Sequence, residues 1–257
     1  MKNRLSFRRT LCDSWDLVCD CPLLKAICPE GKSGYWCNPL YLLPLWAAVG
    51  AVAAGLLGRF LTWLLPANGS ALVFALVLLI VGEMRTTFRG MALSISFLEN
   101  FIYGRKFAEC RILRQSDLRN ISGVVPLLLA AAFAGCRFFA LYWAARSGCY
   151  GVVGAAWLIA VGAEGFLAGE PAAVNMPDFC RQVKNEYIVM TAGFFLLFNL
   201  IYLPLATLIA FGISALLVIV SMNLFLRSDG RIDSNDMTMT GYLLELIVLF
   251  VYAILIG

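Results

Sequence analysis

The sequence predicts an all-α, polytopic integral membrane protein with about seven transmembrane helices and one large cytoplasmic loop. Hydrophobic residues make up 61% of the 257 residues, charged residues only 14%, and the mean hydropathy is +0.82, which places the chain outside ordinary soluble domains. The charges cluster between apolar runs, several of which approach the roughly 20 residues that cross a bilayer core. Because backbone polar groups in hydrocarbon need internal partners, and the alternation typical of membrane barrels is absent, these runs are predicted to be helices.

Seven apolar runs are predicted to span the membrane, and the pattern leaves six or eight spans open. They cover residues 41–65, 70–82, 124–145, 152–168, 187–203, 205–226 and 241–256. The turn from Pro66 to Gly69 joins the first two runs into a membrane hairpin, and Pro204 separates the fifth run from the sixth by a tight turn or a kink. The chain has no internal repeat, so an inverted-repeat transporter is not supported.

Positive charge is distributed unevenly along the chain. Seventeen of the 20 lysines and arginines fall in segments 1–40, 83–123, 169–186 and 227–240, which seven spans place on one side of the membrane. Since lysine and arginine mark the cytoplasmic face, the amino terminus and the long loops are expected in the cytoplasm. The sequence therefore predicts a multi-pass protein of the inner, cytoplasmic membrane, with the lipid bilayer as a partner and no binding of nucleic acid.

The chain divides into a basic, cysteine-rich segment at residues 1–40 and a transmembrane domain at residues 41–257. The spacing of the five cysteines in the first segment does not match the usual zinc sites, and a reducing cytoplasm disfavours disulfides. Packed, reduced thiols are the favoured interpretation, and a metal site assembled by folding is the alternative. These cysteines are Cys12, Cys19, Cys21, Cys28 and Cys37.

A polar stretch at residues 83–123 interrupts the apolar pattern and is expected to form the large cytoplasmic loop. It holds seven cations against four acids, and the whole chain has no histidine, which removes the commonest general base. The cations are Arg85, Arg89, Arg105, Lys106, Arg111, Arg114 and Arg119, and the acids are Glu83, Glu99, Glu109 and Asp117. Any chemistry of this protein is expected to lie here.

Four ionisable residues fall inside predicted spans, where such groups are costly and are usually functional or paired. They are Arg59, Arg137, Glu164 and Glu245. Glu245 is interpreted as a buried partner of Arg59 or Arg137, with a functional role as the alternative. Glu164 has the same two interpretations.

Four segments of the chain are similar to the motifs of one protein family, and two of them lie in the first half of the chain. Residues 88–97, FRGMALSISF, are similar to an acidic signature D-G-L-A-D-T-x-D-G, with Gly90 and Ala92 matching and Ser94 in place of threonine. Residues 44–55, PLWAAVGAVAAG, are similar to an opening P-L-x-G-x-x-x-G. Both follow the order of the family's motifs.

The other two segments follow at similar separations. Residues 112–123, ILRQSDLRNISG, are similar to I-M-R-D-S-R-[LI]-G-T-x-G-G and share with it Ile112, Arg114, Ser116, Leu118 and Gly123. Residues 237–246, MTMTGYLLEL, are similar to G-D-T-L-G-A-A-x-E-L and share Gly241, Glu245 and Leu246. From about residue 40 to its end, the chain therefore resembles the cobalamin synthase family, the adenosylcobinamide-GDP ribazoletransferases.

The resemblance implies an integral membrane enzyme of the last steps of adenosylcobalamin biosynthesis. In that family the acidic signature is thought to hold Mg²⁺ against the diphosphate of adenosylcobinamide-GDP, while ribazole phosphate attacks and GMP leaves. The positions of this chain that match the family's motifs, and that catalysis would use, are Gly90, Ser94, Arg114, Ser116, Gly241 and Glu245.

The three aspartates of the acidic signature are replaced in this chain by Arg89, Leu93 and Ser96. Mg²⁺ requires hard oxygen ligands, commonly carboxylates, and exchanging three negative charges for one positive charge makes the position repel a cation. No metal site is therefore expected, with Ser96 and Glu99 as weak candidates. Metal-dependent transfer should be severely impaired, so the sequence leaves open whether the protein is an enzyme.

Guanidinium groups can bind a diphosphate directly in bidentate geometry. The candidates for such phosphate contacts are Arg85, Arg89, Arg111 and Arg114. Contact of these arginines with anionic lipid is the alternative.

Two other functions remain open at the level of the sequence. One is a catalytically inactive paralogue that binds a corrinoid, a nucleotide or a partner subunit. The other is a small transporter whose pathway is lined by Arg59, Arg137 and Glu164. Glycine- and alanine-rich helix faces permit a homodimer or a hetero-oligomer.

Overall fold

A computed structural model describes residues 2–18, 37–85, 88–110, 123–174, 193 and 204–256. Within these residues the secondary structure is helical, apart from one isolated bridge between Ala173 and Ile232. The helices are α1 (Lys2–Val18), α2 (Leu43–Leu64, preceded by a 3-10 turn at Pro39–Leu42), α3 (Ala67–Arg85), α4 (Arg89–Ile102), α5 (Val124–Arg146), α6 (Gly151–Ala168), α7 (Pro204–Asp229) and α8 (Ser234–Ile256). The predicted all-α class is confirmed.

Six of the described helices are long and apolar enough to cross a membrane, so the protein is a multi-pass membrane protein. These helices, α2, α3, α5, α6, α7 and α8, contain six of the seven predicted runs almost completely. The predicted run at 187–203 lies outside the described residues, except for Gly193.

The helices α3 and α8 extend beyond the apolar runs that predicted them. At α8, Asp233 accepts a hydrogen bond from the backbone N–H of Asp236 at 2.8 Å, and Asp236 accepts one from the N–H of Asp233 at 2.9 Å. This reciprocal capping satisfies amide groups that a helix start leaves without partners. Polar residues can therefore form the first turns of α8, which begins at Ser234 and not at residue 241.

The polar stretch at 83–123 contains a helix, α4, which the prediction of a loop did not include. Its buried face holds Gly90, Leu93, Ser94 and Phe97 at the spacing of three and four residues that puts side chains on one side of a helix. This face packs against α8 and α5. Of the charged residues in this stretch, α4 contains Arg89 at its start and the half-buried Glu99 near its end.

The described helices form antiparallel pairs with two distinct ends. At one end, which we call the amino-terminal end, the N–H of Val174 donates to the C=O of Ile232 at 2.9 Å, so the end of α6 meets the start of α8. The start of α2 joins them, because Leu40 and Leu43 share a hydrophobic cluster with Ile232. The opposite end holds the short turns that connect α2 to α3 and α5 to α6.

Helix α1 packs against the start of α2. Trp46 donates its indole N–H to the hydroxyl of Ser14 at 2.9 Å, and its ring meets Trp15 edge to face at 4.7 Å between centroids. Cys12 lies buried in α1 and Cys37 is half-buried before α2, and both are free thiols. The other three cysteines of the amino-terminal segment lie outside the described residues.

Burial raises the pKa of the Cys37 thiol. The folded protein therefore favours the neutral thiol. This preference stabilises the fold fully below about pH 8.5, the ordinary pKa of a cysteine in an unfolded chain, and the stabilisation is lost as pH rises through the raised pKa of the folded protein. In a variant whose single cysteine is Cys37, we expect maleimide labelling at pH 8.5 to be slower in the folded protein than in the protein unfolded in SDS, because the thiolate is the nucleophile. Equal rates, measured by mass spectrometry, would contradict a raised pKa.

Helix α6 lies at the centre of the bundle, since most of its residues are buried and it packs against both α2 and α8. Glycines allow it to approach α2 closely. A Cβ added at Gly154 would lie 2.0 Å from Cβ of Ala51, and one added at Gly58 would lie 2.3 Å from the ring of Tyr150. Membrane helices associate through such small residues because lipid supplies no hydrophobic drive between them.

Replacement of Gly154 by leucine should destabilise the protein by about 1–3 kcal/mol, because overpacking must separate α2 from α6. The free energy of unfolding in mixed micelles, followed by tryptophan fluorescence, measures this effect. The matched control is Gly135→Leu, because Gly135 is exposed on α5 and a Cβ there meets nothing within 4 Å. Equal stability of the two variants would show that the close contact of α2 with α6 does not limit packing.

Candidate functional site

Three ionisable side chains from three helices meet inside the bundle. Arg137 of α5 donates from one terminal nitrogen to Oε1 of Glu83 in α3 at 2.9 Å, and its other terminal nitrogen donates to Oε1 of Glu245 in α8. The exposed fractions are 2% for Arg137, 4% for Glu83 and 1% for Glu245. The interpretation of Glu245 as a buried partner of Arg137 is therefore confirmed.

Two aromatic side chains complete this arrangement, which we call the polar cluster (Glu83, Arg137, Trp157, Tyr242 and Glu245). Trp157 of α6 donates its indole N–H to Oε1 of Glu245 at 2.9 Å, and the hydroxyl of Tyr242 donates to Oε1 of Glu83 at 3.1 Å. Cζ of Arg137 lies 5.6 Å from the centroid of the Tyr242 ring, within the range of a cation–π contact. The cluster thus connects four of the membrane-spanning helices.

Glycines provide the space that the polar cluster occupies. A Cβ added at Gly82 would lie 2.1 Å from a terminal nitrogen of Arg137, and one at Gly50 would lie 2.4 Å from the ring of Trp157. Any larger residue at either position would displace a member of the cluster. The guanidinium therefore fits only because α3 presents bare backbone to it.

Two glycines that match the family's motifs lie at the same helix contacts. A Cβ added at Gly90 in α4 would lie 2.9 Å from Cβ of Tyr242, and one at Gly241 in α8 would lie 2.1 Å from Oε1 of Glu164. Gly90 allows α4 to pack on α8 directly beside the polar cluster, and Gly241 makes room for the carboxylate of Glu164. Both positions therefore have a packing role in this chain.

The polar cluster holds helices together and is closed to water-soluble substrates. Charges inside a membrane are tolerated when they are paired within the protein, and Arg137 is paired on both arms. Its Nε, by contrast, is buried with no hydrogen-bond partner in the part of the chain that the structure describes. The cluster can fix the register of α3, α5, α6 and α8, and its burial keeps it from the ligands of the surrounding solution.

Arg89, the residue at the first aspartate position, connects α4 to the start of α8. Its Nε donates to Oδ1 of Asn235 at 3.1 Å, and a terminal nitrogen donates to the hydroxyl of Ser234 at 3.4 Å. Arg89 is half-buried at the amino-terminal end. Of the predicted phosphate contacts, it is the one whose side chain the structure describes; the side chain of Arg85 and all of Arg111 and Arg114 lie outside the described residues, as does Ser116.

The other candidate side chains of α4 either point into the protein or form a hydrogen bond within the helix. Leu93 is fully buried in a hydrophobic cluster with Leu40 and Phe225. Ser94 donates its hydroxyl to the C=O of Gly90 at 2.9 Å. The three aspartate positions therefore do not share one open cavity: one faces the start of α8 and the next lies in the core.

The weak metal candidates, Ser96 and Glu99, lie on α4 in different surroundings. Ser96 is 3% exposed, and its C=O accepts a hydrogen bond from the side-chain amide of Asn100 at 2.7 Å. Glu99 is half-buried. In the described ranges, no three carboxylate, histidine or cysteine side chains come together in a group that could hold a metal ion.

The sequence did not identify Glu83, Trp157 and Tyr242 as members of a site. The sequence places Glu83 in the polar loop, although it directly follows the predicted span at 70–82. One signal was available: a lone arginine in a span requires acidic partners, and Glu83 is an acid at the edge of a span. Arg59, by contrast, is exposed near the opposite end of the bundle and does not join the cluster.

No family model, no curated protein and no solved structure matches this chain.

Removing the charge of Arg137 should destabilise the protein strongly, because Arg137→Met leaves two carboxylates buried without their cation. Loss of one partner of a buried ion pair costs about 3–5 kcal/mol. The free energy of unfolding in mixed micelles measures this loss. The variant that also carries Glu83→Gln and Glu245→Gln should recover most of the stability, since all the charges are then removed together. If the triple variant is less stable than Arg137→Met, pairing is not the reason for the arrangement.

Proposed function

We propose that this protein is a membrane-bound counterpart of the adenosylcobinamide-GDP ribazoletransferases that binds the nucleotide-activated corrinoid without carrying out the Mg²⁺-dependent transfer. Its role is then in the last steps of adenosylcobalamin biosynthesis, as a binding subunit or a reservoir for the activated intermediate. The observation that carries this proposal is the contact of α4 with α8. Residues 88–97 and 237–246, two of the segments that resemble the family's motifs, belong to this pair of helices.

The contact brings together residues that are far apart in the chain. Arg89 and Ser234 are separated by 145 residues and are hydrogen-bonded, and Gly90 packs on Tyr242. Shared apolar composition explains similarity between isolated segments, but it does not explain why two such segments should meet. Their meeting supports an origin of this pair of helices in a ribazoletransferase architecture.

The same positions argue against metal-dependent chemistry. A guanidinium at position 89 repels Mg²⁺, and restoring a carboxylate at Leu93 would place a charge in an apolar core. The amino-terminal end instead presents cations, with Arg105 and Lys106 exposed and Arg89 half-buried, together with one exposed acid of the same segment, Glu109. Such cations attract the diphosphate of the activated corrinoid without a metal ion.

We also propose that the amino-terminal end faces the cytoplasm of a cell with an inner membrane. The positive-inside rule supports this orientation, and the activated corrinoid is then reached from the compartment in which nucleotides are made.

The assay for turnover uses the protein purified in nanodiscs with adenosylcobinamide-GDP, ribazole phosphate and Mg²⁺. We expect no release of GMP above the background of empty nanodiscs, because the cation site has lost its carboxylates. A ribazoletransferase that retains its aspartates serves as the positive control. GMP release at a rate comparable with that control would show that the protein is an active transferase.

Binding is tested by equilibrium dialysis of adenosylcobinamide-GDP, followed by the visible absorbance of the corrinoid. Loss of a charge-assisted hydrogen bond is worth about 1.5–3 kcal/mol, so Arg89→Ala and Arg105→Ala should each weaken binding roughly tenfold or more. The control is Arg146→Ala, since Arg146 lies at the opposite end over the ring of Trp143. Absence of binding by the unaltered protein, or equal weakening by the control, would refute the proposed ligand.

A further inference from the structure

A groove with a volume of about 370 Å³ lies between α2 and α6 and ends near the turn from α5 to α6. Small residues line it on both sides, among them Ala48, Ala51 and Gly55 of α2 and Gly151 and Ala155 of α6. Val52, which also lines it, is 57% exposed, so the groove opens on the outer surface of the bundle. In a membrane this surface faces lipid.

The groove is not a consequence of close packing between the two helices. A Cβ added at Gly55 would meet nothing within 4 Å, whereas Cβ atoms added at Gly50, Gly58 or Gly154 would collide with neighbouring side chains. Those three glycines allow the helices to approach. Gly55 instead leaves open space beside the contact, so a ligand can enter there without moving the backbone.

One cation lies at the mouth of this groove. Arg59 lines it, is exposed, and has no ion-pair partner in the described part of the chain. It lies five residues before the end of α2, within about 8 Å of that helix end by the rise of 1.5 Å per residue. This is the depth at which an arginine side chain reaches the headgroups of a bilayer while its stem remains in hydrocarbon.

The groove is centred on the middle of α2, because Ala48 and Arg59 each lie five residues from an end of that helix. From Ala48 to Arg59 the helix rises by eleven residues, which is about 16 Å. The hydrocarbon core of a bilayer is about 30 Å thick, so each leaflet accounts for about 15 Å. An acyl chain whose phosphate lies at the level of Leu64, which the side chain of Arg59 can reach, therefore ends at about the level of Gly55, inside the groove.

The chemistry of the groove selects among occupants. Its lining combines small apolar residues of two helices with one guanidinium, and its open side faces lipid. An acyl chain matches the apolar part, and the guanidinium complements a phosphate group.

We propose that the groove between α2 and α6 is a binding site for one anionic phospholipid, with an acyl chain between the helices and the phosphate on Arg59. This site is at the opposite end from the proposed corrinoid surface and does not depend on the proposed function. A lipid bound there fills the open space beside α6, the helix that supplies Trp157 to the polar cluster.

The test is native mass spectrometry of the detergent-purified full chain after titration with phosphatidylglycerol or phosphatidylcholine. We expect the unaltered protein to retain one phosphatidylglycerol in preference to phosphatidylcholine, whose choline group competes with Arg59 for the phosphate. Gly55→Phe, which fills the groove, and Arg59→Gln, which removes the charge, should each reduce retention at least fivefold. Gly135→Phe is the matched control, because Gly135 lies exposed on a spanning helix and, as at Gly55, a Cβ there meets nothing within 4 Å.

Each other outcome overturns the proposal. Equal retention by Gly55→Phe and Gly135→Phe, whether high or low, would place the lipid elsewhere. Unchanged retention by Arg59→Gln would exclude the phosphate contact. A change in oligomeric state for Gly55→Phe, seen in the same spectra, would assign this face to a second copy of the chain. Circular dichroism and the elution volume in gel filtration show whether each variant is folded. If Gly55→Phe unfolds, Gly55→Leu replaces it.

Discussion

The pairing of Arg137 with Glu83 and Glu245 is the interaction on which the arrangement of the spanning helices depends. An ionised group in hydrocarbon is tolerated when protein groups replace its water, and a guanidinium can direct its two arms to two acceptors at once. Arg137 uses this geometry to contact α3 on one side and α8 on the other. A shift of either helix by one turn, about 5.4 Å, would leave at least one buried charge without a partner.

The apolar surfaces of the bundle specify this register much less strictly. Helices rich in alanine, leucine and valine can slide along one another with little change in buried area, and lipid offers them equally apolar neighbours. The polar cluster removes this freedom because its hydrogen bonds are directional and have no alternative acceptors in hydrocarbon. Gly82 and Gly50 then make the arrangement sterically feasible, since bare backbone is required beside Arg137 and Trp157.

Most of the spanning helices could be predicted from the sequence, because hydrophobic length is a local property that each segment shows by itself. The pairing of Glu245 with Arg137 was also predictable, since a buried cation requires a buried acid. Glu83 was not recognised, because an acid at the edge of an apolar run looks like the start of a loop. The helix α4 was not recognised for the same reason: its charged ends conceal an apolar face, and only its packing on α8 shows that face to be buried.

The positions of the aspartate signature show the limit of reasoning from charge alone. An arginine at position 89, where the family that the sequence resembles has an aspartate, predicts that no cation binds there, but it does not predict what the arginine contacts. The structure supplies a specific replacement, because Arg89 donates hydrogen bonds to Ser234 and Asn235 at the start of α8. A metal ion shared by α4 and α8 would hold these helices together through carboxylates. In this chain a guanidinium and two neutral side chains hold α4 and α8 together directly, so the contact needs no metal ion.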